Sequence, residues 1–110
     1  MNAAYAVHLQ RASEIDYPTT PEKMGAVDSY GGVFSVTVEV AGTYAVALDS
    51  KAWIDMLEGG NVVASAAHSH GPECTTIRKV VSFELQPGPH VIQIAASANA
   101  EMAIMVLRQP

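Results

Sequence analysis

Between Ala66 and Lys79 the chain reads AAHSHGPECTTIRK, which places two of its four histidines and its single cysteine around a Gly-Pro turn. If the segment leading into the turn is a strand, His68 and His70 stand at i and i+2 and project from one face. Two imidazoles so placed can share an ion, and Cys74, brought back by Gly71-Pro72, would add a thiolate that favours Zn or Cu. Glu73 offers a further oxygen ligand, or an acceptor that fixes a histidine tautomer. The expected metal set is therefore His68, His70, Cys74 and Glu73. The spacing H-x-H-x3-C is competent for this chemistry but is not that of a recognised structural zinc module. A polar loop with exposed histidines and a small buried thiol is the plainer reading, because free cysteine is among the most buried residue types.

Other chemistry is thinner. Cys74 with His68 or His70 could form a thiolate-imidazolium pair, with Arg78 or Lys79 lowering the thiol pKa, but no oxyanion-hole motif accompanies it. His90 follows the Pro87-Gly88-Pro89 turn and reads as a surface residue, and His8 has a weaker claim still. In AWIDMLE the favoured register turns Ala52, Ile54 and Met56 inward. That leaves Asp55 in water and Trp53 open as a stacking surface for a sugar or another planar ligand. Met102 and Met105 have opposite parity, so they fill core rather than form a thioether site. Neither a phosphate-binding G-x-x-x-x-G-K-[ST] nor a dinucleotide G-x-G-x-x-G is present.

The elements that must position these groups are strands. No helical stripe stands out, whereas apolar residues alternate with polar ones from residue 33 onward. VFSVTVEV puts Phe34, Val36, Val38 and Val40 on one face, and TYAVALD repeats the pattern with Tyr44, Val46 and Leu48, so residues 33 to 49 are expected to form a hairpin. AWIDMLE and VVASAAHSH form a second expected hairpin across Gly59-Gly60-Asn61. TIRKVVSFEL places Ile77, Val81, Phe83 and Leu85 on one face with Lys79 near the strand's end. HVIQIAAS and EMAIMVLR are expected to pair across ANA, and AYAVHL supplies an N-terminal strand. The sum is an all-β fold, a single antiparallel β-sandwich or jelly-roll-like domain of about seven to eight strands. Residues 12 to 32 have no clear period and form a long irregular connection, either a functional loop or a strap closing a sheet edge.

Size and charge narrow the classes further. The 110 residues suit one domain. A hydrophobic fraction of 49% with 15% charged residues excludes intrinsic disorder. The net charge is -5, and the six Lys and Arg look scattered in sequence, which argues against a nucleic-acid partner. One cysteine permits no intrachain disulfide. The start MNAAYAVHLQRASE has no basic region followed by an apolar run, and no stretch reaches membrane-spanning length, so a soluble chain is expected. A mature domain whose leader has been replaced by Met1 would begin in the same way.

Residues 30 to 98, about two thirds of the chain, resemble a family of small exported bacterial proteins of unknown function. The resemblance is carried by G-T-Y-x-V-x-L, A-W-I-D, H-S-H-G-P-x-C, I-R-K and the Pro-Gly turn before HVIQI. Members often carry the label homogentisate 1,2-dioxygenase. That enzyme is a much longer chain whose non-haem iron is held by two histidines and a glutamate, and 110 residues are too few for its fold. The resemblance implies a sandwich and a periplasmic or secreted home; without it a cytoplasmic one is the default. The leading expectation is a non-enzymatic binding protein with a divalent transition metal, Zn or Cu, at residues 68 to 74. The alternative is a metal-free structural or interaction domain that self-associates through a sheet face or edge as a homo-oligomer. A metal-dependent oxygenase or thiol hydrolase ranks third.

Overall fold

The computed structural model describes residues 2–69 and 75–109. Among these are ten strands: β1 (Asn2–His8), β2 (Gln10–Arg11), β3 (Tyr30–Val38), β4 (Gly42–Leu48), β5 (Trp53–Glu58), β6 (Asn61–Val63), β7 (Ala67–Ser69), β8 (Lys79–Leu85), β9 (Gly88–Ser97) and β10 (Glu101–Arg108). A single 3-10 turn, Ala12–Glu14, interrupts them. The count exceeds the expected seven to eight because two short strands, β2 and β7, pair where the sequence shows no separate alternating run.

The strands form two five-stranded antiparallel sheets, ordered β1-β10-β4-β8-β7 and β2-β3-β9-β5-β6. Strand β1 pairs with β10, β3 with β9, β4 with β8, and β5 with β6. This is a nested set of hairpins rolled into two sheets, the winding of a jelly roll.

Two expected hairpins are corrected by this winding. β3 and β4 belong to opposite sheets, so the connection at residues 39–41 crosses the sandwich instead of reversing within a sheet; β9 and β10 are separated in the same way. Alternation specifies which face of a strand is buried, and that requirement is met equally by a partner beside the strand or by one across the core. The β5–β6 hairpin is present, with Met56 opposite Val63. The chain then leaves it, and β7 joins β8 in the other sheet.

The core is formed by the inward rows of both sheets: Tyr44, Val46 and Leu48 on β4, Val81, Phe83 and Leu85 on β8, Ile54 and Met56 on β5, Ile92 and Ile94 on β9, and Met102, Ile104 and Val106 on β10. Burying side chains of this size contributes about 1.5–3 kcal/mol each. The Tyr44 hydroxyl, carried into the interior, donates to the Val40 carbonyl at 2.7 Å. Met105, on the opposite face of β10, is only half-buried and does not join this core.

Residues 15–29 run as a strap over the outer face of the second sheet. Ile15, Tyr17, Thr19 and Pro21 turn toward the protein while Asp16, Pro18 and Thr20 face water. The strap is held by Gln93 of β9, whose amide donates to the Thr19 carbonyl at 2.9 Å and accepts from the Thr19 N–H at 3.1 Å, reproducing a backbone ladder pair. Tyr17 Oη donates to the Ile94 carbonyl at 2.8 Å. At its far end Gly25, with φ +74°, packs against Ala96, and a Cβ at Gly25 would lie 2.6 Å from the Ala96 Cα. Ala96 itself has φ +60°, beside the register shift between β3 and β9.

Candidate functional site

Strand ends and the strap meet at one end of the sandwich. Trp53 is the first residue of β5 and Lys79 the first of β8, His68 lies in β7, and the strap supplies Lys23. These four residues line two adjoining clefts, of 330 and 560 Å³. The first adds Lys51 and Arg78; the second adds Glu22, Asp55 and Ser65 with an apolar floor of Ile54, Val81 and Phe83. Volumes of this order suit small ligands.

The position of each side chain follows from parity. Lys79 shares the inward row of Val81, Phe83 and Leu85 but stands at the mouth, where its stem is half-buried and its ammonium reaches the cleft. His68 lies opposite Val81 in the β7–β8 ladder and so faces the same side. Trp53 and Asp55 lie on the outer row of β5, opposite Ala95 and Gln93 of β9.

Four of the chain's six basic residues, Lys23, Lys51, Arg78 and Lys79, therefore surround one opening, although they look dispersed in the sequence. The ammoniums of Lys23 and Lys79 each lie 5.6 Å from the centroid of the Trp53 ring, within the range of a cation-π contact. Burial, and then the charge of Lys23, lower the Lys79 pKa below its ordinary value. Among the described residues, the two ion pairs are His8 with Glu101 and His90 with Glu58, so none of the four cations is in an ion-pair contact with a described carboxylate.

Beneath the ring, Trp53 Nε1 donates to Asp55 Oδ1 at 3.0 Å, and Gln93 Nε2 lies 3.4 Å from Oδ2. Asp55 is 7% exposed, not in water as the sequence suggests, because the strap covers the outer face of β5. Burial raises its pKa, aided by the charge of Glu22 and opposed by the hydrogen bonds from Trp53 and Gln93. Burial and the nearby Asp55 charge also raise the pKa of Tyr17.

The residues expected to bind metal separate as follows. His68 is on the cleft, while His70, Glu73 and Cys74 lie outside the described residues. Among the described residues, no three His, Cys, Asp or Glu side chains gather into a possible ion site. His90 is corrected from a surface residue to a buried one, 2% exposed, with Nδ1 3.0 Å from the Gly88 carbonyl and Nε2 2.8 Å from Glu58 Oε1. His8 pairs with Glu101 at 2.5 Å on the surface. Lys23, Lys51 and Gln93 carry no motif; the sequence signals for the site are His68 of the expected loop and the aromatic Trp53 at a strand start.

Fold and site together define a small antiparallel jelly roll with a cationic, Trp-walled cleft at one end. No protein-family model matches the chain, and neither curated proteins nor solved structures give a significant match. Among the described residues no helix is long and apolar enough to cross a membrane.

Proposed function

We propose that this domain is a binding protein whose ligand is an acid held in the cleft at Trp53. The observation that carries the reading is the placement of Lys23 and Lys79 against one ring in a chain of net charge -5, with Lys51 and Arg78 beside them. Two like charges held together repel each other, and an anion between them relieves that repulsion. The same charges oppose a divalent cation at His68, so an anion is favoured over a metal at this opening.

Trp53 is the chain's only tryptophan, so its fluorescence reports on the cleft directly. Titration with citrate, sulfate, phosphate and D-galacturonate at constant ionic strength should give a saturable change with at least one acid. The change should be lost in the double variant Lys23→Gln, Lys79→Gln. A flat response to all four would remove the reading. Elemental analysis of tag-free protein, beside a metal-repleted sample, tests the metal alternative at residues 68 to 74.

A second reading is self-association. On the outer face of the first sheet Met105, Ala47 and Val80 stand in one cross-strand row and Leu107, Ala45 and Ser82 in the next; Ala45, Ala47 and Ser82 are buried, and the half-buried Met105, Leu107 and Val80 give a small apolar patch. A concentration-dependent mass in light scattering, abolished by Met105→Lys, supports it; a monomer at all concentrations rejects it.

A further inference from the structure

The cleft is asymmetric in its chemistry. At one end stand Lys51 and Arg78; Lys23, Lys79 and Trp53 occupy the middle; at the other end the lining changes to Glu22, Asp55 and Ser65 over an apolar floor. A ligand that fills it needs acid at one end and hydrogen-bond donors at the other. A densely charged polymer is disfavoured, since carboxylates stand in the same groove and the chain is net negative. An inorganic anion would use only the cationic end.

From this juxtaposition of an ammonium pair, an indole wall and a run of oxygen acceptors, we infer that the ligand is an acidic oligosaccharide with isolated uronic-acid carboxylates. Its carboxylate sits between Lys23 and Lys79, its apolar ring face lies along Trp53, and its hydroxyls donate toward the exposed Glu22 carboxylate and Ser65 hydroxyl. Two adjoining clefts of 330 and 560 Å³ extend along the opening, which suits more than one sugar ring. This inference rests on the anion reading and names the class of acid.

The experiment uses the whole chain and three probes at constant ionic strength: a tetragalacturonate that keeps one free carboxylate, its other three rings being methyl-esterified; its fully methyl-esterified form; and sodium sulfate. Calorimetry and Trp53 fluorescence are both read. The expected result is saturable binding of tetragalacturonate, with the ester and sulfate each weaker by roughly ten-fold or more, the value of a charge-assisted hydrogen bond lost. Lys79→Gln and Lys23→Gln should each weaken tetragalacturonate by about the same factor, with circular dichroism showing the sheets unchanged. Equal affinity for sulfate and tetragalacturonate would overturn the saccharide while leaving the anion reading standing. Equal affinity for the ester would show that charge is not read, overturning both. No binding of tetragalacturonate with binding of sulfate would likewise overturn the saccharide alone.

Discussion

The indole N–H of Trp53 donates to the carboxylate of Asp55 two residues along the same face of β5, at 3.0 Å, and so ties the wall of the cleft to the buried network beneath the strap. The same carboxylate lies beside Gln93, and Gln93 holds Thr19. The cleft wall and the strap are thus parts of one hydrogen-bonded unit.

The first prediction concerns Asp55. Its pKa is raised in the folded state, so the unfolded chain loses the proton first as pH rises above the ordinary value of 3.8. Stability contributed by this residue therefore falls with rising pH until the folded value is passed, and the penalty is then constant. Asp55→Asn should flatten that fall and be at least as stable as the parent at pH 7. Asp55→Ala, which leaves the Trp53 N–H without its acceptor, should be about 1–3 kcal/mol less stable than Asp55→Asn. Urea unfolding across the pH range measures both.

Glu58 has the opposite sign. The hydrogen bond from His90, followed by that from the Gln86 N–H, holds its pKa below the ordinary 4.5. Its contribution is present above that value and is lost as pH falls through the folded value. Glu58→Gln should lower the melting temperature at neutral pH and show a shallower decline between pH 5 and 3 than the parent, in calorimetric scans.

The strap should govern affinity from a distance. Gly25→Ala places a methyl 2.6 Å from the Ala96 Cα, in a left-handed conformation that suits glycine. It should displace the segment that carries Lys23 and weaken acid binding while the core sheets persist. Gln93→Ala should do the same by removing the clamp on Thr19. Amide exchange should accelerate across residues 15–29 in both variants; unchanged exchange with unchanged affinity would separate strap from site.

Leu48 tests the core. It is 1% exposed within the inward row of β4, and Leu48→Ala should cost about 2–5 kcal/mol in urea unfolding. Val62→Ser, on an exposed position of β6, should stay within about 0.5 kcal/mol.

The all-β architecture was legible because alternation records burial directly. Tyr44, Val46 and Leu48 are inward as expected, as are Val81, Phe83 and Leu85 and the pair Ile54 and Met56. Strand pairing was legible only at the β5–β6 hairpin: the crossing at residues 39–41 has the composition of a hairpin turn, and nothing local distinguishes a reversal within a sheet from a passage to the other. Asp55 was misplaced because its parity is outward and only the strap, a segment without apolar period, makes that face an interior. His90 was misplaced for a related reason, since its neighbour Glu58 is 32 positions away. The candidate cleft shares His68 with the expected loop, but its cations come from the strap, the entry to β5 and the start of β8.

What the sequence alone determined is therefore the set of properties encoded within a few residues: strand character, most of the inward rows, though not Val40, which is exposed, and the absence of a basic tract. The tertiary structure decided which strands are neighbours, which outward face the strap seals, and that Lys23, Lys51, Arg78 and Lys79 converge at Trp53. Burial of a strand is a local constraint repeated every second residue. Convergence of distant charges depends on the order in which a long nested hairpin is rolled, and no local pattern of side chains carries that information.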